Sequence, residues 1–331
     1  MSATQRQLQE ERPMKKIIDS LKKYDDFLLV SHLSPDGDTL GSTAALFLAL
    51  KQLGKRAVAA VDGAVPDKLR FLNDYCKFCS SAEVLSKKEF ECAVAIDVAD
   101  VPRLGSFKDA FLASKHTLVI DHHPTNTEFG EYNLVDCKAS TGEVVMEIID
   151  SMGAKIDDRI ANCLYAAVST DTGNFIYSSV TEETLKNAAR LRGCGADIPR
   201  LAAMIYSERS LGATKIIGRG IDSLSLFSNG RIAALSISKK DIEECGAKRE
   251  DTDSLINYAR EIKGVEIAIF VNELSGERAK VSLRSNEYAD VAEFAKRFGG
   301  GGHVHAAGYT DNGSVEEIRN RAVEYAATLL K

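Results

Sequence analysis

Short apolar runs bounded by polar turn residues recur through the first half of the chain: FLLV at 27–30, RAVAAV at 56–61, CAVAID at 92–97 and HTLVID at 116–121. Their apolar cores do not alternate with polar residues, which is the pattern of strands buried on both faces. Helical segments lie between or after them. TAALFLALKQLG at 43–54 reads as a helix stopped by Gly54. STGEVVMEIIDSMG at 140–153 and DDRIANCLYAAVSTDTG at 157–173 also carry helical spacing, the second running into a turn at Asp171-Thr172-Gly173. Strands alternating with helices predict βαβ units and a doubly wound, mostly parallel sheet. Sheets of this kind gather their ligands at the carboxyl ends of the strands.

The pattern changes in the second half. A polar helical stretch runs from about Thr181 to Arg219 and reads as a connector. RIAALSIS at 231–238, VEIAIFVNE at 265–273 and RAKVSLRS at 278–285 then read as strands. In the last, Ala279, Val281 and Leu283 alternate with Lys280, Ser282 and Arg284, so one face is buried and one polar. DVAEFAKRF at 290–298 is a short helix, Gly299 to Gly302 break the chain, and a helix closes it from about Ser314 to Leu330. The expected organisation is a first domain over 1–185, a helical linker over 186–220 and a smaller α/β domain over 221–331.

Composition narrows the function. With 331 residues and 44% hydrophobic content, the chain has material for two cores. The longest apolar run, 44–50, is too short to cross a bilayer. The first residues, MSATQRQLQEERPMKK, contain no apolar leader, so a cytoplasmic location with no membrane partner is expected. The net charge of −6 argues against a grip on long duplex nucleic acid, which draws much of its affinity from basic surfaces. Seven cysteines at irregular spacing read as reduced thiols. The pair Cys76 and Cys79 has no second pair to complete a four-thiolate zinc site.

Candidate chemistry collects where the strands end. His32, Asp36 and Asp38 follow the first strand, Asp97 ends the third, and Asp121, His122 and His123 end the fourth. Asp171 lies in the later turn. Each alone has an ordinary reading as a turn or a strand end. Together they form a carboxylate and imidazole set without thiolates, suited to manganese, magnesium or iron. There are enough groups for two ions sharing one carboxylate, the usual apparatus for attack on phosphorus.

Four segments in order, SHLSPDGDTLGS, AIDVAD, IDHHPTN and STDTGNF, resemble the motifs of the DHH phosphoesterase superfamily. RFGGGGHVHAAG at 297–308 resembles the signature of the DHH-associated C-terminal domain, and the 251–285 region resembles the branch of nanoRNases and pAp phosphatases. The resemblance implies two Mn2+ ions, with Mg2+ or another divalent ion as a substitute. His32, Asp36 and Asp97 would hold the first. Asp38, Asp97, His122 and Asp171 would hold the second, with Asp97 bridging. His123 would bind the scissile phosphate and assist the departing oxygen, with Asp121 orienting the histidine pair. In the second domain, Arg284, Ser285, Gly300, Gly301, Gly302 and His303 would grip substrate, and His305 is left as a bystander.

The implied activity is metal-dependent hydrolysis of very short RNA to mononucleotides and removal of the 3′-phosphate of 3′-phosphoadenosine 5′-phosphate (pAp). Dimerisation through the first domain is part of the same resemblance. The main rival is a phosphodiesterase of linear or cyclic dinucleotides (pApA, pGpG, cyclic di-AMP). A RecJ-type exonuclease is disfavoured by length. A manganese pyrophosphatase is disfavoured by the glycine–histidine signature, and a silent binding module by the intact ligand set.

Overall fold

A computed structural model of the chain describes residues 3–85 and 88–331. They form two compact units, one ending at Glu208 and the other running over Arg209–Lys331.

The first unit is built on a five-stranded parallel sheet: β1 (Asp26–Ser31), β2 (Arg56–Ala60), β3 (Cys92–Ile96), β4 (His116–Asp121) and β5 (Tyr132–Val135), in the order β2-β1-β3-β4-β5. The apolar runs become strands because both their faces are covered. Phe27, Leu29, Val94, Ile96, Leu118 and Ile120 enter one core, packed on helices Gly37–Gln52, Thr141–Met152 and Asp158–Asp171. Leu28, Val30, Ala93, Ala95 and Val119 enter the other with Phe107 and Phe111. The two-residue period of a strand divides each run between the two cores. The strand order reverses beside β1, so a crevice for ligand is expected where the ends of β1 and β3 diverge. The fifth strand, YNLV, was not foreseen. It is a short edge strand, mostly half-buried, and has no sustained apolar run.

Two glycines set how closely the helices above this crevice approach. A Cβ on Gly37 would stand 2.4 Å from Thr170 Oγ1, and one on Gly41 would stand 2.5 Å from the Cys163 carbonyl oxygen. Helix Gly37–Gln52 therefore lies against helix Asp158–Asp171 at a separation that side chains at 37 and 41 would forbid. It also starts six residues before the expected TAALFLALKQLG segment, with Asp36 as its cap.

The second unit carries a mixed six-stranded sheet, β10-β11-β9-β8-β7-β6: β6 (Ser225–Phe227), β7 (Ile232–Ile237), β8 (Ile267–Ser275), β9 (Arg278–Ser285), β10 (Gly301–His303) and β11 (Ala306–Asn312). On β9, Ala279, Val281 and Leu283 join the core under helices Val291–Arg297 and Val315–Thr328, as their alternation predicts. Gly299–Gly302 do not simply interrupt the chain. The Gly299 N–H donates to Lys296 O and the Gly300 N–H to Ala295 O, ending the preceding helix, and Gly301 and Gly302 enter β10 against β11. A Cβ on Gly300 would lie 2.2 Å from Gly308 O.

The stretch expected as a linker is helical but is shared between the units. Helix Glu182–Gly193 is tied to the first, where Asn187 donates to Glu143 at 2.9 Å and Arg190 pairs with Asp150. Helix Leu211–Asp222 belongs to the second, where Ile216 packs with Leu235 and Leu255 and Gly212 abuts the backbone of Gly246. Cys76 is buried and its thiol is pushed up to about 12 by desolvation, while the Cys79 backbone bridges to the end of β2. All seven cysteines are free.

Candidate metal and phosphoester site

Each acid and histidine singled out in the first unit sits where an element begins or ends. His32 directly follows β1. Its N–H donates to Thr39 Oγ1, whose hydroxyl donates to Ile96 O at 2.9 Å, tying the end of β1 to the end of β3. Asp36 caps helix Gly37–Gln52: its Oδ1 accepts from the N–H groups of Asp38 and Thr39 at 3.0 and 3.1 Å. Asp38 is therefore in the first turn. Asp97 directly follows β3 with φ of 62°, and its N–H donates to Ile120 O at 2.9 Å. A left-handed aspartate is uncommon, and such strain tends to collect at functional sites. Asp121 closes β4, and Asp171 is the last residue of helix Asp158–Asp171.

These positions converge. Donor atoms of His32, Asp36 and Asp97 lie within 4.8 Å of one another, as do those of Asp38, His122 and Asp171, and those of Asp97, His122 and His123. Asp97 turns its oxygens two ways. Oδ2 is 3.6 Å from His32 Nε2, and Oδ1 is 3.7 Å from His122 Nε2. Both ligand-type histidines have Nδ1 anchored on a carbonyl oxygen, His32 on Leu33 at 2.9 Å and His122 on Lys138 at 3.1 Å. A carbonyl only accepts, so Nδ1 carries the proton and Nε2 keeps its lone pair toward the acids. His122 Nε2 lies 3.4 Å from Asp171 Oδ2 and 3.9 Å from Asp38 Oδ2.

His123 differs. Its Nδ1 is 2.8 Å from Asp121 Oδ1, so its Nε2 is left for another partner, and its side chain is 37% exposed. Asp121 is fully buried. It also accepts from the His122 N–H at 2.8 Å and from Asn126 Nδ2 at 2.6 Å.

The titration behaviour follows the crowding. Burial, then the charge of Asp36, pushes Asp97 up to about 6. Burial and the charges of Asp97 and Asp171 hold Asp38 well above the carboxylate range. Desolvation raises Asp171 too. Asp121 goes the other way: burial works to raise it, but the bonds from His123 and Asn126 outweigh burial and hold it low. The Asp121 hydrogen bond in turn raises His123. Crowded, partly desolvated carboxylates facing imidazole lone pairs are a donor set that a divalent cation relieves.

Sequence reasoning missed the supports. Thr141 and Gly142, at the start of a helix, donate their N–H groups to Asp38 at 2.7 and 2.9 Å. Thr141 Oγ1 donates to Asp97 at 2.9 Å, and Ser42 Oγ to Asp38 at 3.1 Å. Asn126 also donates to Val98 O at 2.9 Å, joining two loops. A signal for the first pair was present. Ser140 and Glu143 have capping spacing before an apolar run, and helix N-termini attract anions.

The residues singled out in the second unit are more mixed. His303 is exposed on β10, and Arg284 lies on the face of β9 opposite Leu283. Ser285 faces inward: its hydroxyl donates to Ala289 O at 2.6 Å and lies 2.9 Å from His305 Nδ1, so it braces the loop beside β10. His305, expected to be a bystander, is part of that brace. The Gly300 N–H is committed to the helix end.

Residues 26–168 match the model of the DHH family, N-terminal domain, and residues 229–328 match that of the DHHA1 domain. The bifunctional oligoribonuclease and PAP phosphatase NrnA of Thermus thermophilus is 32% identical over 89% of this chain and 87% of its own. The chain belongs to the DHH family. Membership makes it a hydrolase of phosphoester bonds. The NrnA protein of Bacillus subtilis, with the same name, is 27% identical over 88% of this chain and 91% of its own. An exopolyphosphatase-related protein of Bacteroides fragilis shares the fold, with a TM-score of 0.88 at 24% identity over 96% of this chain and 97% of its own. Among the described residues, no helix is long and apolar enough to cross a membrane.

Proposed function

We propose that this DHH hydrolase cleaves very short RNA to mononucleotides and removes the 3′-phosphate of pAp, using two Mn2+ ions. The substrates follow the NrnA relatives, which match along nearly their whole length and carry those activities in their names. The two-ion reading is carried by Asp97, which belongs to two donor groups and turns one oxygen toward each.

His32, Asp36 and Asp97 would hold one ion, and Asp38, Asp97, His122 and Asp171 the other. Bound divalent ions would polarise the phosphoryl oxygens and make water acidic enough to attack near neutral pH. The chain's own groups do the remaining work. His123, whose Nδ1 is bonded to Asp121, would donate from Nε2, in its protonated form, to the reacting phosphoryl group or the departing ribose oxygen. Asp121 and Asn126 fix the ring. The Thr141 and Gly142 N–H groups hold Asp38 in place. Gly301, Gly302, His303 and Arg284 of the second unit would bind a further substrate phosphate, with Ser285 as a brace.

The test is a panel: pAp, an RNA dinucleotide, pGpG, cyclic di-AMP, pyrophosphate and a long single strand, each with Mn2+. Mononucleotide from the RNA dinucleotide together with phosphate from pAp is the expected result. Turnover of pGpG or cyclic di-AMP without pAp would replace the reading with a dinucleotide phosphodiesterase.

A further inference from the structure

Four aspartates of the cage, Asp36, Asp38, Asp97 and Asp171, carry four negative charges once ionised, as many positive charges as two divalent cations bring. An attacking hydroxide and a phosphoryl group add more negative charge, which His123 can offset by one unit. The site therefore calls for a further fixed cation. Lys138, whose carbonyl holds His122, is taken: it pairs with Glu147 and lies 3.9 Å from Asp136.

The backbone of Arg103 is held next to the first strand's end of the cage. Its carbonyl oxygen accepts from the Leu33 N–H at 2.7 Å, next to His32, and its own N–H is held by Asp100. Its short helix follows Asp97 by four residues. Two further ties hold this loop: Asp62 accepts from the Ser106 N–H at 2.6 Å, and Gly105, at φ of 56°, leaves room for the Asp62 carboxylate. Asp100 and Asp62 are thus occupied with backbone donors. Arg103 is exposed, and among the described residues its guanidinium has no hydrogen-bond or ion-pair partner. A backbone pinned next to His32 and bearing an exposed, unpaired guanidinium suits an anion hook within reach of the cage.

We propose that Arg103 contacts a non-bridging oxygen of the phosphoryl group under attack and stabilises the charge that develops there. The proposal rests on the phosphoester reading of the cage but not on which ester is the natural substrate. Arg103→Ala should lower kcat/KM by roughly 100-fold on pAp, on an RNA dinucleotide and on bis(p-nitrophenyl) phosphate. Guanidinium chloride at non-denaturing concentration should restore part of the rate to Arg103→Ala but not to His123→Ala, and Arg103→Lys should retain an intermediate rate. Read without turnover, calorimetry of inorganic phosphate binding to the Mn2+-loaded protein should show Arg103→Ala at least about tenfold weaker, at unchanged Mn2+ affinity. A variant within twofold of wild type in rate and phosphate affinity would overturn the proposal, as would a loss traced to weaker Mn2+ binding. A wild type that cleaves the nitrophenyl ester but neither pAp nor RNA would sink the substrate reading and leave the Arg103 comparison intact.

Discussion

Asp97 concentrates the conflict that the site is built around. It is almost wholly buried, left-handed in its backbone, and faces three histidines and the carboxylate of Asp36. Its pKa of about 6 in the fold lies above the 3.8 of a free aspartate, so the metal-free fold binds a proton more tightly than the unfolded chain. That penalty is absent at low pH and grows as pH rises from about 4 through 6. Metal-free protein should therefore lose urea stability between pH 5 and pH 8. Asp97→Asn, which tolerates a left-handed backbone, should flatten that dependence, and it should abolish stabilisation by Mn2+. A flat wild-type profile would contradict the assignment. His123 gives a second prediction. Asp121 raises its pKa, so the protonated donor persists to higher pH and activity falls as pH climbs through that value. Asp121→Asn should move the alkaline limb of kcat to lower pH and cut kcat by about 100-fold, while Mn2+ affinity holds.

At the scale of elements, the site depends on two helices meeting without side chains between them. Gly41→Ala would place a methyl 2.5 Å from the Cys163 carbonyl, which can yield only if the backbone moves. The cost should be about 1–3 kcal/mol, and because the same shift separates Asp38 from Asp171, Mn2+ affinity should fall together with Tm. Unchanged affinity would mean that the helix spacing does not set the cage. This also marks what the sequence made legible. The strand-end acids and histidines could be read because buried parallel strands are continuous apolar runs and their ends are chemically conspicuous. Gly41 could not, since a glycine within a helical pattern does not announce what packs against it. The strand in YNLV lacked an apolar run, and the 299–302 glycines read as a break because no side-chain pattern distinguishes a hairpin edge from a loop. Ser285 was grouped with the substrate residues, but it continues the inward-facing register of β9, and its hydroxyl is turned to Ala289 on the next loop and to His305 beside β10.

The whole molecule carries a net charge of −6, and the residues assigned to substrate are few. Affinity for an RNA dinucleotide should therefore depend on salt only as expected for its one or two phosphates. The slope of log K against log salt should be about −1.4 or shallower, since each single-strand phosphate contributes about −0.7. A slope several times steeper would point to an extended basic track and a longer substrate. The two units divide the problem: one folds an acidic cage at the switch point of a parallel sheet, and the other presents a glycine–histidine hairpin at the edge of a mixed sheet.

The most direct measurement is anomalous diffraction at the manganese edge from crystals of the full chain soaked in Mn2+. Two peaks about 3.5–4 Å apart, with Asp97 between them, His32 on one side and His122 on the other, are predicted. A single peak, or manganese bound away from Asp97, would contradict the dinuclear centre on which this account of the chemistry depends.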